Sequence, residues 1–169
     1  AVRDIPLLKR KMQLLLERSQ LPVKGHGAKV LQNIVETYPR DDLFQISDNE
    51  IFEIAMGILE LQERQRIRVF PRRDRFRRFY SCLVYVPRDR FDSELRIRIG
   101  EILNQAYHGR SFEFNVNFSE SVLARIHFLV NTDPETEPQE TTRAIEQRIE
   151  QAARSWIDDL QNSIVDRYD

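Results

Sequence analysis

Cysteine occurs once in the 169 residues, at Cys82. No disulfide can therefore form within the chain, and a reducing, cytoplasmic setting is expected. The five glycines are scattered and compose neither G-x-G-x-x-G nor G-x-x-x-x-G-K-[ST], so the chain lacks a dinucleotide-binding turn and a phosphate cradle. No apolar run approaches the roughly 18 residues that would span a bilayer, and no membrane partner is expected. An excess of either charge is missing too. The 26 basic and 27 acidic residues leave a net charge of -1, which excludes a whole-surface attraction to nucleic acid or anionic lipid. The opening Ala1-Val2-Arg3-Asp4 has neither an initiator Met nor a charged-then-apolar leader, as expected for a piece of a longer protein.

What is present suits a folded domain. The hydrophobic fraction of 41% is too high for disorder, and the charged fraction of 31% is too high for a membrane protein. The length allows one domain, or one domain with a helical extension. Charge is uneven along the chain. Only four of the basic residues are Lys, and eight of the 22 Arg fall between Arg64 and Arg78. Acid gathers instead in the run from Asp133 to Glu140.

Periodicity divides the chain. Pro6 suits a first helical turn, and Leu8, Met12, Leu15 and Leu16 recur at helical spacing to about Arg18. Ser19 to Gly27 reads as a loop, and Val30, Leu31, Ile34, Val35 and Tyr38 as a second helix stopped by Pro39. Ser47-Asp48-Asn49-Glu50 has the form of a capping box, opening a helix with Ile51, Phe52, Ala55, Ile58 and Leu59 on one stripe. From Arg66 the period becomes 2. Ile67 and Val69 alternate with Arg66 and Arg68 in an edge strand with one wet face, and Pro71 supports the edge. Phe79 to Val86 is nearly all apolar, as in a central strand covered on both faces, and a hairpin joins the two.

Asp92 caps a helix carrying Leu95, Ile99, Ile102, Leu103 and Ala106, with Gly109 at its stop. Phe112, Phe114, Val116 and Phe118 alternate with polar residues in the next strand. A connection over Ser119 to Leu123 leads to Ala124, Ile126, Phe128 and Val130 in another. The acidic linker Thr132 to Pro138 precedes a long helix with a seam of Ile145, Ile149, Ala152, Trp156, Leu160 and Ile164. Counted from the central strand the order is βαββα, a ferredoxin-like unit whose missing last strand is replaced by the one at Ile67. The fold class predicted is α+β: a four-stranded antiparallel sheet with two helices on one face, preceded by N-terminal helices. The expected division is a helical segment at 1–47 and an α+β domain at 48–169.

Candidate chemistry is sparse. His26 lies in a Gly-flanked stretch, His108 at a helix end and His127 on a strand face, none at metal-ligand spacing. His127 reads as a partly exposed strand residue, and Cys82 as a small buried hydrophobe with nothing adjacent to lower its pKa. The neighbours Asp158 and Asp159 point apart on a helix and form no acid/base pair; Asp41 and Asp42 are the other adjacent carboxylates. No catalytic, cofactor-binding or metal-binding residue is assigned. The arginines around Phe76 and Phe79 admit three readings: a polyanion-binding hairpin, a solvated edge that blocks aggregation, or a partner for an acidic patch of a neighbouring domain or subunit. Near-neutral net charge favours the last two.

Certain runs are family-specific. Tyr38-Pro39-Arg40-Asp41-Asp42-Leu43-Phe44-Gln45 and Arg72-Arg73-Asp74-Arg75-Phe76, continued by Ser81-Cys82-Leu83-Val84-Tyr85-Val86-Pro87-Arg88-Asp89-Arg90, closely resemble the large bacterial NAD-specific glutamate dehydrogenases. Ser121 and Leu123-Ala124-Arg125-Ile126-His127-Phe128 extend the resemblance, which covers about His26 to Val130. It implies a much longer parent enzyme that oxidises L-glutamate to 2-oxoglutarate and ammonia with NAD. This chain would belong to its N-terminal region of ACT-like modules, which are themselves ferredoxin-like. The cofactor would be the parent's NAD, bound outside this piece. The partners implied are other domains and subunits of the same enzyme in a homo-oligomer, with an amino-acid effector as a further possibility.

Two departures stand out. The family tends to have Gly where this chain has Arg77. ACT modules that bind amino acids place Gly between first strand and first helix, whereas here the junction reads Pro87-Arg88-Asp89-Arg90-Phe91. A non-catalytic regulatory or assembly module is therefore expected, with assembly favoured over effector sensing. Its rival is a nucleic-acid-binding module using the Arg64 to Arg78 hairpin.

Overall fold

The computed structural model describes residues 5–117 and 122–168, except the side chains of 156–158, 160 and 168. Expectations for Phe118, for Ser119–Ser121 and for the side chains of Trp156, Asp158 and Leu160 thus lie outside the described residues. The chain divides into two compact units, Ala1–Gln65 and Arg66–Asp169.

The first unit is helical: α1 (Pro6–Ser19), α2 (His26–Thr37), α3 (Arg40–Gln45) and α4 (Asp48–Leu61). Pro6 opens α1, where its missing N–H costs no hydrogen bond. The capping box at α4 is complete: the Glu50 N–H donates to Ser47 Oγ, and the Ser47 N–H donates to the Glu50 carboxylate. Lys11 is buried, its ammonium donating to the Ile46 carbonyl at 2.6 Å and pairing with Asp48 at 3.3 Å. Two local details differ from the periodicity reading. α2 starts at His26, with Gly25 as its N-cap, so His26 is helical rather than part of the loop. Pro39 does not only stop α2 but also N-caps the short α3, whose first turn holds Asp41 and Asp42 at its partly positive end.

The stripe Ile51, Ile54, Ala55, Ile58 and Leu61 of α4 is buried, and α4 packs on α1 and α2. The division between units accordingly falls after Gln65, not at the expected 47/48. A capping box marks where a helix begins; only the direction of its apolar stripe decides which domain it joins.

The second unit contains β1 (Arg68–Arg73), β2 (Phe79–Pro87), α5 (Ser93–Ala106), β3 (Gly109–Asn117), β4 (Leu123–Thr132) and α6 (Thr142–Tyr168), with a 3-10 turn at Arg88–Arg90. The sheet order is β1-β2-β4-β3 and every pairing is antiparallel. This is the predicted arrangement, with β1 paired to β2 by a hairpin. Tyr80, Cys82, Val84 and Val86 of β2 and Ile126, Phe128 and Val130 of β4 join the core with Leu95, Ile99, Ile102 and Leu103 of α5. On α6 the buried seam runs Ile145, Ile149, Ala153. Ala153 thus holds the place expected of Ala152, which is only half-buried, and Ile164 is 49% exposed. β2 is buried on both faces: Leu83 on the face away from the helices is 1% exposed.

The helix stop after α5 also differs. The residue in the left-handed region is His108 (φ 54°), while Gly109 begins β3. Gly109 is required for another reason, since a Cβ there would overlap Asn104 Oδ1 and Val130. Gly100 is constrained likewise: a Cβ on this face of α5 would run into the Phe112 ring. Gly100→Ala should destabilise the second unit by about 1–3 kcal/mol, the usual cost of overpacking. Adding Phe112→Leu should recover part of that loss. Urea unfolding of the single and double variants checks both, and a harmless Gly100→Ala would show that α5 can lift off β3 without cost.

Candidate functional site

The Arg-rich hairpin between β1 and β2 holds the densest charge. Its turn is built on Asp74, whose carbonyl accepts the Arg77 N–H at 2.9 Å and whose own N–H donates to the Phe79 carbonyl at 2.9 Å. The Asp74 carboxylate is buried and accepts from the Arg78 N–H at 3.2 Å and from Arg78 Nε at 2.7 Å. Those bonds from Arg78 hold its carboxyl below the usual carboxylate range, outweighing the effect of burial. Arg77 sits at φ 60°, a left-handed region that glycine occupies without strain.

Most of these arginines are answered within their own unit. Arg73 pairs with Glu137 at 3.1 Å and donates to the Thr136 carbonyl; Arg77 pairs with the same Glu137. Arg68 pairs with Glu146 at 3.2 Å. Burial pushes the Glu146 carboxyl up despite the pull of Arg68. Arg72, also on β1, is 5% exposed. The acidic linker therefore folds back on the hairpin, and the acidic partner of the third sequence reading lies partly in the same unit. At the tip, Phe76 is 67% exposed with Arg78 stacked at 5.2 Å from its ring centre. Arg75 beside it is exposed and makes no hydrogen bond or ion pair among the described residues.

The three histidines stand on separate elements. His26 lies in the first unit, His108 ends α5, and His127 stands on β4. Among the described residues no group of three or more His, Cys, Asp or Glu is placed to hold a metal ion. Also among the described residues, no helix is long and apolar enough to cross a membrane. Cys82 is fully buried in the core beside Tyr107, whose phenol is pushed up by burial first of all and which stacks on Tyr80 at 4.2 Å.

One contact was not legible in the sequence: Ser81 Oγ lies 2.6 Å from His127 Nε2. The two are 46 positions apart and meet only because β2 and β4 pair in this register. A nucleophilic Ser–His pair also needs a carboxylate to orient the ring and donors for an oxyanion. The residues directly across from His127 are Leu83 and Asn115, and the Ser81–His127 contact links β2 to β4. An open groove of about 620 Å³ runs between α5 and α6, past Ile97, Arg98, Glu101, Arg148 and Ser155. Its cations are spoken for: Arg148 bonds Glu140 at 2.6 Å and Arg98 bonds Glu101 at 3.3 Å. At the β2–α5 junction the 3-10 turn is tied down by the Arg88 N–H on the Val122 carbonyl and by Arg90 on Glu150 at 3.1 Å.

A helical unit followed by a ferredoxin-like sheet, rich in internal ion pairs, defines a modular α+β segment. The family profile described as "Glutamate dehydrogenase, ACT2 domain" matches residues 68–157, and "Glutamate dehydrogenase, helical motif 1" matches residues 5–64. The chain belongs to this glutamate dehydrogenase family. It is 43% identical over 166 residues to the NAD-specific glutamate dehydrogenase of Halomonas elongata and 40% identical over 166 residues to that of Pseudomonas aeruginosa. To the enzyme of the same name from Mycobacterium tuberculosis it is 30% identical over 171 residues. These alignments cover 98%, 98% and 94% of this chain, which spans 10% of the length of each relative.

Two measurements probe the hairpin. Arg77→Ala should cost about 1 kcal/mol, because it keeps the left-handed backbone and loses the pair with Glu137. Arg77→Gly should be neutral or stabilising, since glycine relieves the backbone. Equal stabilities of the two variants in urea unfolding would contradict this. For Asp74 the folded carboxyl titrates below the unfolded one, so it stabilises the fold above the unfolded pKa of about 3.9 and that contribution disappears as pH falls through the lower folded value. Asp74→Asn should be less stable at neutral pH and lose less stability below about pH 4 than the parent chain. Unfolding curves collected from pH 7 to pH 2 would show the two converge.

Proposed function

We propose that the chain is a non-catalytic ACT-like assembly and regulatory segment of a large NAD-dependent glutamate dehydrogenase, an oxidoreductase converting L-glutamate and NAD to 2-oxoglutarate, ammonia and NADH. The observation that carries this reading is the ACT2 match laid over residues 68–157, a sheet on which charged groups pair with one another instead of converging on a substrate. Catalysis, NAD and glutamate belong to the remainder of the parent chain, in the cytoplasm. The partners proposed are the other domains and subunits of the same enzyme.

Within this reading, assembly outranks effector sensing. An amino acid held between first strand and first helix needs backbone groups that can approach it closely. Here that junction carries Pro87 and a 3-10 turn fastened by Arg88 and Arg90, with no glycine. The matched families and relatives are glutamate dehydrogenases, and Glu146, Glu137 and Asp74 neutralise hairpin arginines on which the polyanion alternative depends. The experiment has two arms. The 169-residue chain alone should form no NADH from glutamate and NAD and give no saturable heat with amino acids in calorimetry. The full-length product of its reading frame should reduce NAD in a glutamate-dependent way. Turnover by the short chain, or an inactive full-length enzyme, overturns the assignment; saturable heat restores effector sensing.

A further inference from the structure

Among the described residues no phenylalanine is more open to solvent than Phe76, which is 67% exposed at the tip of the β1–β2 hairpin. The turn beneath it is closed by the backbone bonds of Asp74. Arg78, 5.2 Å from the centre of the Phe76 ring, is itself bound to the buried Asp74 carboxylate. Arg75 stands exposed beside the ring, with no hydrogen bond or ion pair among the described residues. The hairpin thus holds out an aromatic ring and an unanswered arginine on a fixed support, the residue types that dominate protein–protein contacts.

The groove between α5 and α6 has the complementary character. Leu95 and Ile102 are buried along it, and Ile97 on its wall is 48% exposed. Its arginines are neutralised by Glu101 and Glu140. Its carboxylates Glu94 and Asp159 are exposed and make no hydrogen bond or ion pair among the described residues.

We infer that the hairpin tip of one copy of this chain seats in the α5–α6 groove of a second copy. Phe76 enters against Ile97, and Arg75 faces Glu94 and Asp159. A chain cannot fill its own groove. The Thr132 N–H donates to the Arg78 carbonyl at 2.9 Å and Thr132 pairs with Gly109, so the tip lies beside the end of α5. Glu94 is in the first turn of α5, about 18 Å back along the helix. The contact is therefore head to tail, a heterologous interface that adds copies in series unless it closes a ring. A tip of this size buries less than the roughly 800 Å² per partner of a standard interface, so it binds weakly unless other contacts hold the copies together. This inference rests on the assembly role proposed above and names one of its surfaces.

The test is sedimentation equilibrium of the 169-residue chain up to millimolar concentration. The average mass should rise with concentration. Phe76→Asp removes the tip and Ile97→Lys the groove, both at exposed positions, and each should lower the mass with unchanged circular dichroism. An equimolar mixture of the two should recover part of it, because the intact groove of one variant accepts the intact tip of the other. Should either variant not fold, Phe76→Ala and Ile97→Gln take their places. A mass indifferent to concentration, to the tip variant or to the groove variant, or a mixture no heavier than its components, overturns the inference. The non-catalytic assignment is read from turnover and would stand in each of those cases.

Discussion

A strand with apolar side chains on both faces must be paired along both edges, because its backbone groups have no access to water. β2 is that strand, and its burial organises the second unit. One edge takes β1 through the hairpin, and the other takes β4 across a helix and a strand of intervening sequence. Once Cys82 faces Phe128 and Val84 faces Ile126, the helices α5 and α6 have a floor to cover, and β3 is added outside β4. The chain order looks permuted relative to a ferredoxin-like unit, yet the sheet is not. The hairpin simply delivers from before β2 what the usual topology delivers from after the second helix.

That early delivery explains the arginines. β1 is an edge strand reached by a turn of polar residues, and such an edge invites pairing with other chains unless blocked. Guanidinium groups block it only if their charge is held in place. Arg68 is fixed by Glu146, Arg73 and Arg77 by Glu137, and Arg78 by the buried Asp74. Each exposed pair contributes little alone. Together they fold the acidic linker onto the hairpin and set the start of α6. Local excess of one sign, which in the sequence resembled a polyanion-binding surface, is balanced in part by residues some sixty positions downstream.

Elements with a sustained period were legible in the sequence: β2, the alternation of β4, the stripe of α5, and the capping box of α4. What could not be read is whatever depends on register or on the direction of a face. Ser81 and His127 meet because of strand pairing, and Glu137 finds Arg73 because a linker bends. α4 joined the first unit because its buried stripe, Ile54 and Leu61 standing where the sequence reading had Phe52 and Leu59, turns toward α1 and α2. The short α3 was hidden because Pro39 signals a stop and a start equally well, depending on whether helix-compatible residues follow it. At the end of α5 the glycine rule pointed to the neighbour of the residue concerned, since the close approach of Asn104 and Val130 claims Gly109 and leaves the left-handed position to His108.

Where the glycines stand bears on function. The left-handed positions in the described chain belong to Gln20, Arg77 and His108, and none to glycine. Gly100 and Gly109 are instead consumed by the contact of α5 with β3, where a methyl group would already collide. A module that captures a small effector has to leave backbone bare where the ligand arrives. This one uses its bare backbone to draw a helix tightly onto an edge strand and fills the strand–helix junction with proline and arginine. The same scarcity that rules out a phosphate cradle in the sequence therefore leaves, in the fold, no glycine at that junction to bring backbone groups close to a small ligand.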